Sequence, residues 1–147
     1  MSKDKYNLET DQNNLIFEFY SDGPKGKILK IVEYQPIGGK FYNLAFGDSI
    51  DGTKDFDDFV ITNNHDTEKV LSTLSSTLYI FFKHYEGTIV IAEGSTLSRT
   101  RLYRKYLTIF LELIETEFTL FGELNGKTER FKKGVNYKFF LIRKKIG

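Results

Sequence analysis

Hydrophobic and polar residues alternate in the first part of this chain, as they do in strands that bury one face. In residues 15–21, Phe17 and Phe19 alternate with more polar neighbours, and this period of two predicts a strand. Turn-forming residues rich in Gly, Pro and Asp follow it. Three more segments of this kind are found at residues 28–34, 41–47 and 56–62. Four strands joined by short turns predict an antiparallel meander.

The hydrophobic period becomes that of a helix after residue 62. Apolar residues from Val70 to Phe82 recur at helical spacing, and Gly87 ends the segment. Residues 88–92 (TIVIA) are almost wholly apolar, which is typical of an interior strand. A second helix is expected to begin near Ser98. Its predicted buried stripe consists of Leu102, Tyr106, Ile109, Phe110, Leu113 and Ile114.

The C-terminal part of the chain predicts a hairpin and a last strand. Asn125-Gly126 is a strong hairpin signal between residues 118–124 and a strand that begins near Thr128. Residues 137–143 form the last strand. The predicted order is ββββ-α-β-α-ββ, a two-layer α+β fold in which both helices cover one face of the sheet. Residues 14–147 make up this single domain, and residues 1–13 are expected to be a flexible lead.

The composition limits the cellular compartments in which this protein is expected. Cysteine is absent from the 147 residues, which excludes disulfides, thiolate metal sites and a cysteine nucleophile. The polar N-terminal residues lack the apolar core of a secretory signal, and no apolar run approaches the 18 residues of a membrane span. We therefore expect a cytoplasmic protein with no membrane partner.

The small net charge of +1 hides an uneven distribution. Residues 1–58 carry 7 lysines and 11 acidic residues, a net charge of −4, whereas residues 59–147 carry 14 basic and 9 acidic residues, a net charge of +5. Such polarity favours a basic surface for nucleic acid or an acidic protein. The basic C-terminal residues could extend it, or they could be solvated strand ends: Arg130, Lys132, Lys133, Arg143, Lys144 and Lys145.

The most informative segment follows the strand at residues 88–92. A Gly-Ser-Thr turn leads into a helix whose first turns are basic, although cations at a helix N-terminus cost about 0.3–1 kcal/mol each. Backbone N–H groups and arginines at that position suit a phosphate or carboxylate. Alternatively, Ser98 is a simple helix cap and the arginines pair with acids. The predicted anion or nucleic-acid site consists of Gly94, Ser95, Thr96, Ser98, Arg99, Arg101, Arg104 and Lys105.

Carboxylates at predicted strand ends suggest a second chemistry. Asp22, Asp48 and Glu93 occupy places at which ribonuclease H-like folds hold Mg²⁺, and the predicted element order is similar to that topology. A turn-forming role explains Asp22 equally well, because Asp22-Gly23 is turn chemistry. We therefore assign no catalytic residue, metal ligand or cofactor, and keep a metal-dependent nuclease or phosphodiesterase as an alternative.

Three runs of residues resemble a known family. They are residues 21–26 (SDGPKG), residues 42–48 (YNLAFGD), and Gly94-Ser95-Thr96 followed by residues 99–103 (RTRLY). Together they are similar to the signature runs of a small bacterial family of domains of unknown function, over about residues 17–144. The resemblance implies a bacterial single-domain protein and no assigned activity.

These observations predict a non-enzymatic module that binds a phosphate-bearing or acidic partner, such as nucleic acid, through the basic helix start. A nuclease using Asp22 and Glu93 is the first alternative. The second is a protein-interaction subunit, for example of a toxin–antitoxin pair, that uses the acidic loop at residues 48–58 together with the basic helix. The sequence does not predict the oligomeric state.

Overall fold

The computed structural model describes residues 4–53, 55–57, 62–93 and 101–145, with the backbone alone for residues 57 and 101–104. These residues form nine strands and two helices. In chain order they are β1 (Glu9–Thr10), β2 (Ile16–Gly23), β3 (Gly26–Gly38), β4 (Phe41–Ser49), β5 (Phe56–Asp57), α1 (Thr67–His84), β6 (Ile89–Glu93), α2 (Arg101–Ile114), β7 (Phe118–Leu124), β8 (Lys127–Arg130) and β9 (Phe139–Lys144).

All nine strands belong to one mixed sheet. The spatial order is β1-β2-β3-β4-β6-β9-β7-β8, and β5 pairs with one end of β4. β4 and β6 are parallel, whereas the other neighbours are antiparallel. The general α+β prediction is confirmed. The prediction of an antiparallel meander is confirmed for β2, β3, β4 and the described part of the fourth strand, β5. Beyond them α1 returns the chain to the start of β4, so β6 is parallel to β4.

The fourth strand of the predicted meander is described in part, and the last strand of the chain lies at a place in the sheet that the sequence did not predict. Of the predicted fourth strand at residues 56–62, the structure describes β5, and residues 58–61 lie outside the described ranges. The last strand, β9, lies between β6 and β7. Residue periodicity predicts that β9 is a strand, but its position depends on pairing with partners far away in the chain.

One face of the sheet, the helix-covered face, forms the core with α1 and α2. Cross-strand partners such as Phe17 and Val32, or Val90 and Ile142, lie on this face. Aromatic contacts join it to α1, and the Tyr34 and Phe81 rings stack with centroids 4.4 Å apart. The other face, the open face, is covered by neither described helix. Both helices therefore cover the same face, as the sequence predicts.

α1 is buried around more of its circumference than its apolar stripe predicts. The predicted apolar residues from Val70 to Phe82 are buried, and so are four hydroxyl residues: Ser72, Thr73, Ser75 and Thr77. Three of these hydroxyls donate to carbonyls one turn earlier in α1, which satisfies them without water. The Tyr34 hydroxyl lies 2.7 Å from Thr77 Oγ1, and burial raises the pKa of Tyr34.

The predicted buried stripe of α2 needs correction. Tyr106, Phe110 and Ile114 are buried as expected, and Leu111 is buried as well. The predicted core residues Ile109 and Leu113 are half-buried, while the side chain of Leu102 lies outside the described part of the chain. Periodicity predicts which side of α2 is apolar. Packing against the sheet and α1 determines which residues at the margins of that side are fully buried.

The N-terminal segment, which we expected to be a flexible lead, makes specific contacts with the domain. Glu9–Thr10 pairs with β2 as an edge strand. The Tyr6 ring stacks on Phe19 at 5.8 Å, and the Tyr6 backbone N–H donates to Thr73 Oγ1 at 2.8 Å. Residues 6–10 therefore pack against the same domain as the residues that follow.

We expect Leu111→Ala to lower the free energy of unfolding by about 2–5 kcal/mol, because it removes a fully buried side chain and leaves a cavity. Leu113→Ala, in the same helix, removes a half-buried side chain and should cost clearly less. Urea titration of both variants measures the difference. A larger loss for Leu113→Ala would mean that α2 is rotated about its axis relative to this description.

Candidate functional site

The parallel pair β4–β6 defines two sides of the sheet, one at which both strands begin and one at which both strands end. Phe41 at the start of β4 pairs with Ile89 at the start of β6, so both strands end at the same side, which we call the carboxyl edge. α1 ends close to the start of β6 and therefore begins at the carboxyl edge, and α2 begins there because it follows β6. Edges of this kind hold the ligands of many α/β domains.

A buried ion pair lies at the carboxyl edge. Lys30 on β3 is the cross-strand partner of Asp48 on β4, and its ammonium group donates to the Asp48 carboxylate. Lys30 is 1% exposed and Asp48 8%. The Thr62 N–H donates to Asp48 Oδ2 at 2.9 Å, and the Lys30 ammonium donates to the Thr62 carbonyl at 3.3 Å. The pair therefore holds the segment before α1 against the sheet.

Asp66 is the centre of a second polar group beside this pair. Its Oδ2 accepts hydrogen bonds from the Tyr6 and Ser21 hydroxyls, each at 2.5 Å. Its Oδ1 is buried and accepts no hydrogen bond from any described residue. Burial raises the pKa of Tyr6, and the hydrogen bond to Asp66 adds to that rise. Asp66 also precedes the first turn of α1, where a negative charge is favourable.

Asn64 completes the polar contacts at this edge. Its side-chain amide donates to Ser21 Oγ at 3.2 Å and to the Gly26 carbonyl at 2.8 Å, and its Oδ1 accepts from the Lys25 N–H at 2.7 Å. A side chain at Gly23 would overlap Asn64. The turn between β2 and β3 and the segment before α1 are thus held together by one fully buried amide.

Tyr106 connects α2 to these groups. Its hydroxyl oxygen accepts a hydrogen bond from the Thr67 hydroxyl at 3.3 Å. Burial raises the pKa of Tyr106, the Thr67 hydrogen bond opposes the rise, and the negative charges of Asp66 and Asp48 add to it. The second turn of α2 therefore lies within electrostatic reach of both carboxylates.

The sequence-predicted anion site lies largely outside the described residues. Gly94, Ser95, Thr96, Ser98 and Arg99 lie in the gap at residues 94–100. Arg101 and Arg104 belong to the first turn of α2, which carries no acidic residue, and their side chains are not described. Lys105 is exposed. The acidic loop that follows β4 begins at the carboxyl edge, as α2 does, so the alternative in which the arginines pair with acids stays open.

The three strand-end acids do not form a common site. Asp48 is engaged with Lys30. When the residue pairs are followed from β6 across β4 and β3 to β2, Glu93 lies level with Ile16, three strands away. Asp22 lies six residues farther along β2, which at about 3.3 Å per residue is roughly 20 Å. Over the described ranges, no group of three or more His, Asp and Glu side chains is arranged to hold a metal ion.

A second charged surface lies at the opposite edge, where β4 and β6 begin. A groove of about 440 Å³ between the end of α1 and the end of β9 is lined by four cations and one acid. Lys40, Arg143, Lys144 and Lys145 are the cations, and Glu86 is the acid. None of the four forms an ion pair with an acid in the described part of the chain. We call these four cations the basic corner.

An apolar groove on the open face joins the basic corner. It is lined by Ile89, Phe121 and Leu141 among others, and it shares Ile89 and Arg143 with the basic groove. The Arg143 and Arg130 guanidinium carbons lie 5.4 Å and 5.7 Å from the centroid of the Phe121 ring. Half-buried aromatic surface thus adjoins a surface of strong positive charge.

Comparison with known proteins identifies the family. The model of a family of unknown function, DUF6934, matches residues 2–145. The chain belongs to this family. No curated protein and no solved structure shows significant similarity to it. The DUF6934 match supports the expected likeness to a family without an assigned activity. Neither described helix of this DUF6934 domain is long and apolar enough to cross a membrane.

Sequence reasoning missed the polar groups at the carboxyl edge, although one signal was present. The strand pattern places Ile28, Lys30, Val32 and Tyr34 on one face, so Lys30 occupies a core position. A lysine at such a position needs an acidic partner, and Asp48 was already a candidate acid for a different role. Asp66 and Tyr106 carry no comparable signal, because their proximity depends on how α1 and α2 pack.

We expect Lys30→Met and Asp48→Asn each to lower the free energy of unfolding by about 3–5 kcal/mol, because each leaves a buried charge without its partner. The double variant Lys30→Met/Asp48→Asn should lose less than the sum of the two single losses, because neither buried charge remains. Urea titrations provide these values. As a matched control, Lys133→Met removes one partner of the exposed pair with Glu112 and should change stability by about 1 kcal/mol or less. Additive losses in the double variant would contradict the coupling of Lys30 and Asp48.

Proposed function

We propose that this domain is a non-enzymatic binding module for a phosphate-bearing polyanion, and that the basic corner is its principal contact surface. The observation that carries the proposal is the groove in which Lys40, Arg143, Lys144 and Lys145 face one acid, Glu86. A local excess of three positive charges attracts polyanions over distances of about 8–10 Å at physiological salt.

The charges of the basic corner are available for binding. Lys40 and Lys144 are exposed, and among the described side chains neither has an acidic partner. Lys145 donates to the Thr116 carbonyl at 2.8 Å, a contact that leaves two of its three ammonium protons for another acceptor. Arg143 contacts the Phe121 ring, and its fork of N–H donors suits a phosphate.

A structural role competes with this proposal. The groove adjoins the C-terminal end of α1, where cations are favourable by about 0.3–1 kcal/mol each. α1 already has Lys83 and His84 in its last turn. If the basic corner served the helix dipole, its loss would lower stability and leave polyanion binding unchanged. The two roles therefore differ in what a mutation should change.

The start of α2 is the second candidate location for the same function. Its first turn combines basic residues with no acid, and it begins at the carboxyl edge, where ligands commonly bind in sheets with parallel strands. It ranks second because Asp48, Asp66 and the described start of the acidic loop lie at the same edge. The nuclease alternative is not proposed, since Asp22 and Glu93 are not near each other. The interaction-subunit alternative predicts binding to a protein and no retention by polyanions.

We expect Arg143→Gln/Lys144→Gln to elute from heparin at a clearly lower salt concentration than the unmodified protein, with an unchanged melting temperature. The matched control Lys25→Gln/Lys27→Gln removes the same charge at the exposed turn between β2 and β3 and should elute almost as the unmodified protein does. A salt-gradient column and a thermal melt measure both quantities.

The variant Arg101→Gln/Arg104→Gln locates the site. A loss of heparin retention confined to this variant would move the site to the start of α2. A lower melting temperature with unchanged elution would mean that these arginines pair with acids. Equal retention of all variants, or none by the unmodified protein, would contradict polyanion binding through specific residues.

A further inference from the structure

We propose that the open face beside the basic corner binds single-stranded nucleic acid, with Phe121 as the platform on which an unpaired base stacks. This inference rests on the proposed polyanion binding and assigns its partner. The juxtaposition that supports it is an accessible aromatic ring between two arginines, on a sheet face that neither described helix covers, next to a groove with excess positive charge.

Phe121 is suitably placed for stacking. Its cross-strand partners are Arg130 on β8 and Leu141 on β9, so the ring stands on the open face with an apolar side chain beside it. The ring is half-buried, which leaves part of its surface for a ligand. Proteins that bind single strands commonly combine such an aromatic platform with a positively charged groove.

The two guanidinium groups contact the ring and leave part of it open. Their carbons lie 5.4 Å and 5.7 Å from the ring centroid, within the roughly 6 Å of a cation–π contact, and the ring still lines the apolar groove. Both arginines are exposed, so each can turn toward a phosphate or stack on the other side of a base. In the ligand-free protein the ring attracts both guanidinium groups. They are therefore held where the phosphates of a stacked nucleotide would lie.

The strand that carries Phe121 is packed against the core on its other face. Gly122, the next residue on β7, faces the core, and a side chain there would overlap the Tyr137 ring. The Tyr137 hydroxyl donates to Glu129 on β8 at 2.6 Å and accepts from the Lys132 N–H at 3.1 Å. These contacts hold β7 and β8 together, so the backbone positions of Phe121 and Arg130 are fixed before a ligand binds.

The geometry favours a single strand over a duplex or a protein. The bases of a duplex are stacked on one another and cannot reach a ring in a sheet, so a duplex would contact the phosphate-binding cations alone. The route from Phe121 through Arg143 to Lys144 and Lys40 runs from an apolar surface to a charged one, which matches a base and its phosphate backbone. An acidic protein would use the cations but would gain little from Phe121.

The test is fluorescence anisotropy with labelled DNA and RNA single strands of mixed sequence, on the order of 12 nucleotides, which lies within the range of known site sizes. We expect Phe121→Leu to weaken binding roughly 5- to 150-fold, the range that loss of one stacked base produces. Phe121→Trp should retain or strengthen binding. The matched control is Tyr20→Leu, which removes another aromatic ring of the open face that is 56% exposed, far from the basic corner, and it should leave binding unchanged.

The variants also separate this inference from the proposed function. Phe121→Leu should keep heparin retention and the salt dependence of binding, whereas Arg143→Gln should reduce the slope of log K against log salt by about 0.7 for a single strand. Equal affinity of Phe121→Leu and the unmodified protein for single strands, with heparin retention intact, would overturn the stacking platform and leave polyanion binding standing. Equal affinity of the unmodified protein for duplex and single strands would overturn it too. Loss of all polyanion binding would remove both proposals.

Discussion

The structure depends on two crossover connections that step across the sheet in the same direction. β4 leads through α1 to its parallel neighbour β6, and β6 leads through α2 to β7, which runs parallel to it with β9 in between. Crossovers between parallel strands are almost always right-handed. Two right-handed crossovers in one direction must place both helices on the same face, which leaves the other face without a helix.

This constraint gives the domain two edges with different chemistry. Both helices begin at the carboxyl edge, where Asp48 is buried with Lys30 and the half-buried Asp66 accepts hydrogen bonds from Tyr6 and Ser21. Their hydrogen bonds go mainly to neighbouring segments, which indicates that this edge holds the fold together. At the other edge, the cations of the basic corner have no acidic partners among the described residues, and the open face adds the Phe121 ring. Charge without a structural partner is the better indication of a binding surface.

Much of the candidate surface was visible in the sequence as separate parts. For the basic C-terminal residues, including Arg130 and Arg143, the sequence left two alternatives, an extension of a basic surface or solvated strand ends, and the excess of positive charge after residue 58 favoured the first. Their arrangement around Phe121 was not predictable, because Arg130, Phe121 and Arg143 belong to three strands whose register depends on pairing across the sheet. Lys40 joins them from a turn about a hundred residues earlier in the chain.

The sequence by itself determined the two helices, most of the strands and the single α+β domain, because periodicities of 2 and 3.6 are local consequences of burying one side of a strand or helix. The tertiary structure alone decided that β9 lies between β6 and β7, that Leu111 rather than Leu113 is fully buried, and that Asp48 neutralises Lys30 instead of joining Asp22 and Glu93. Those outcomes depend on contacts between residues distant in the chain, and a local pattern carries no information about which distant segment will supply the partner.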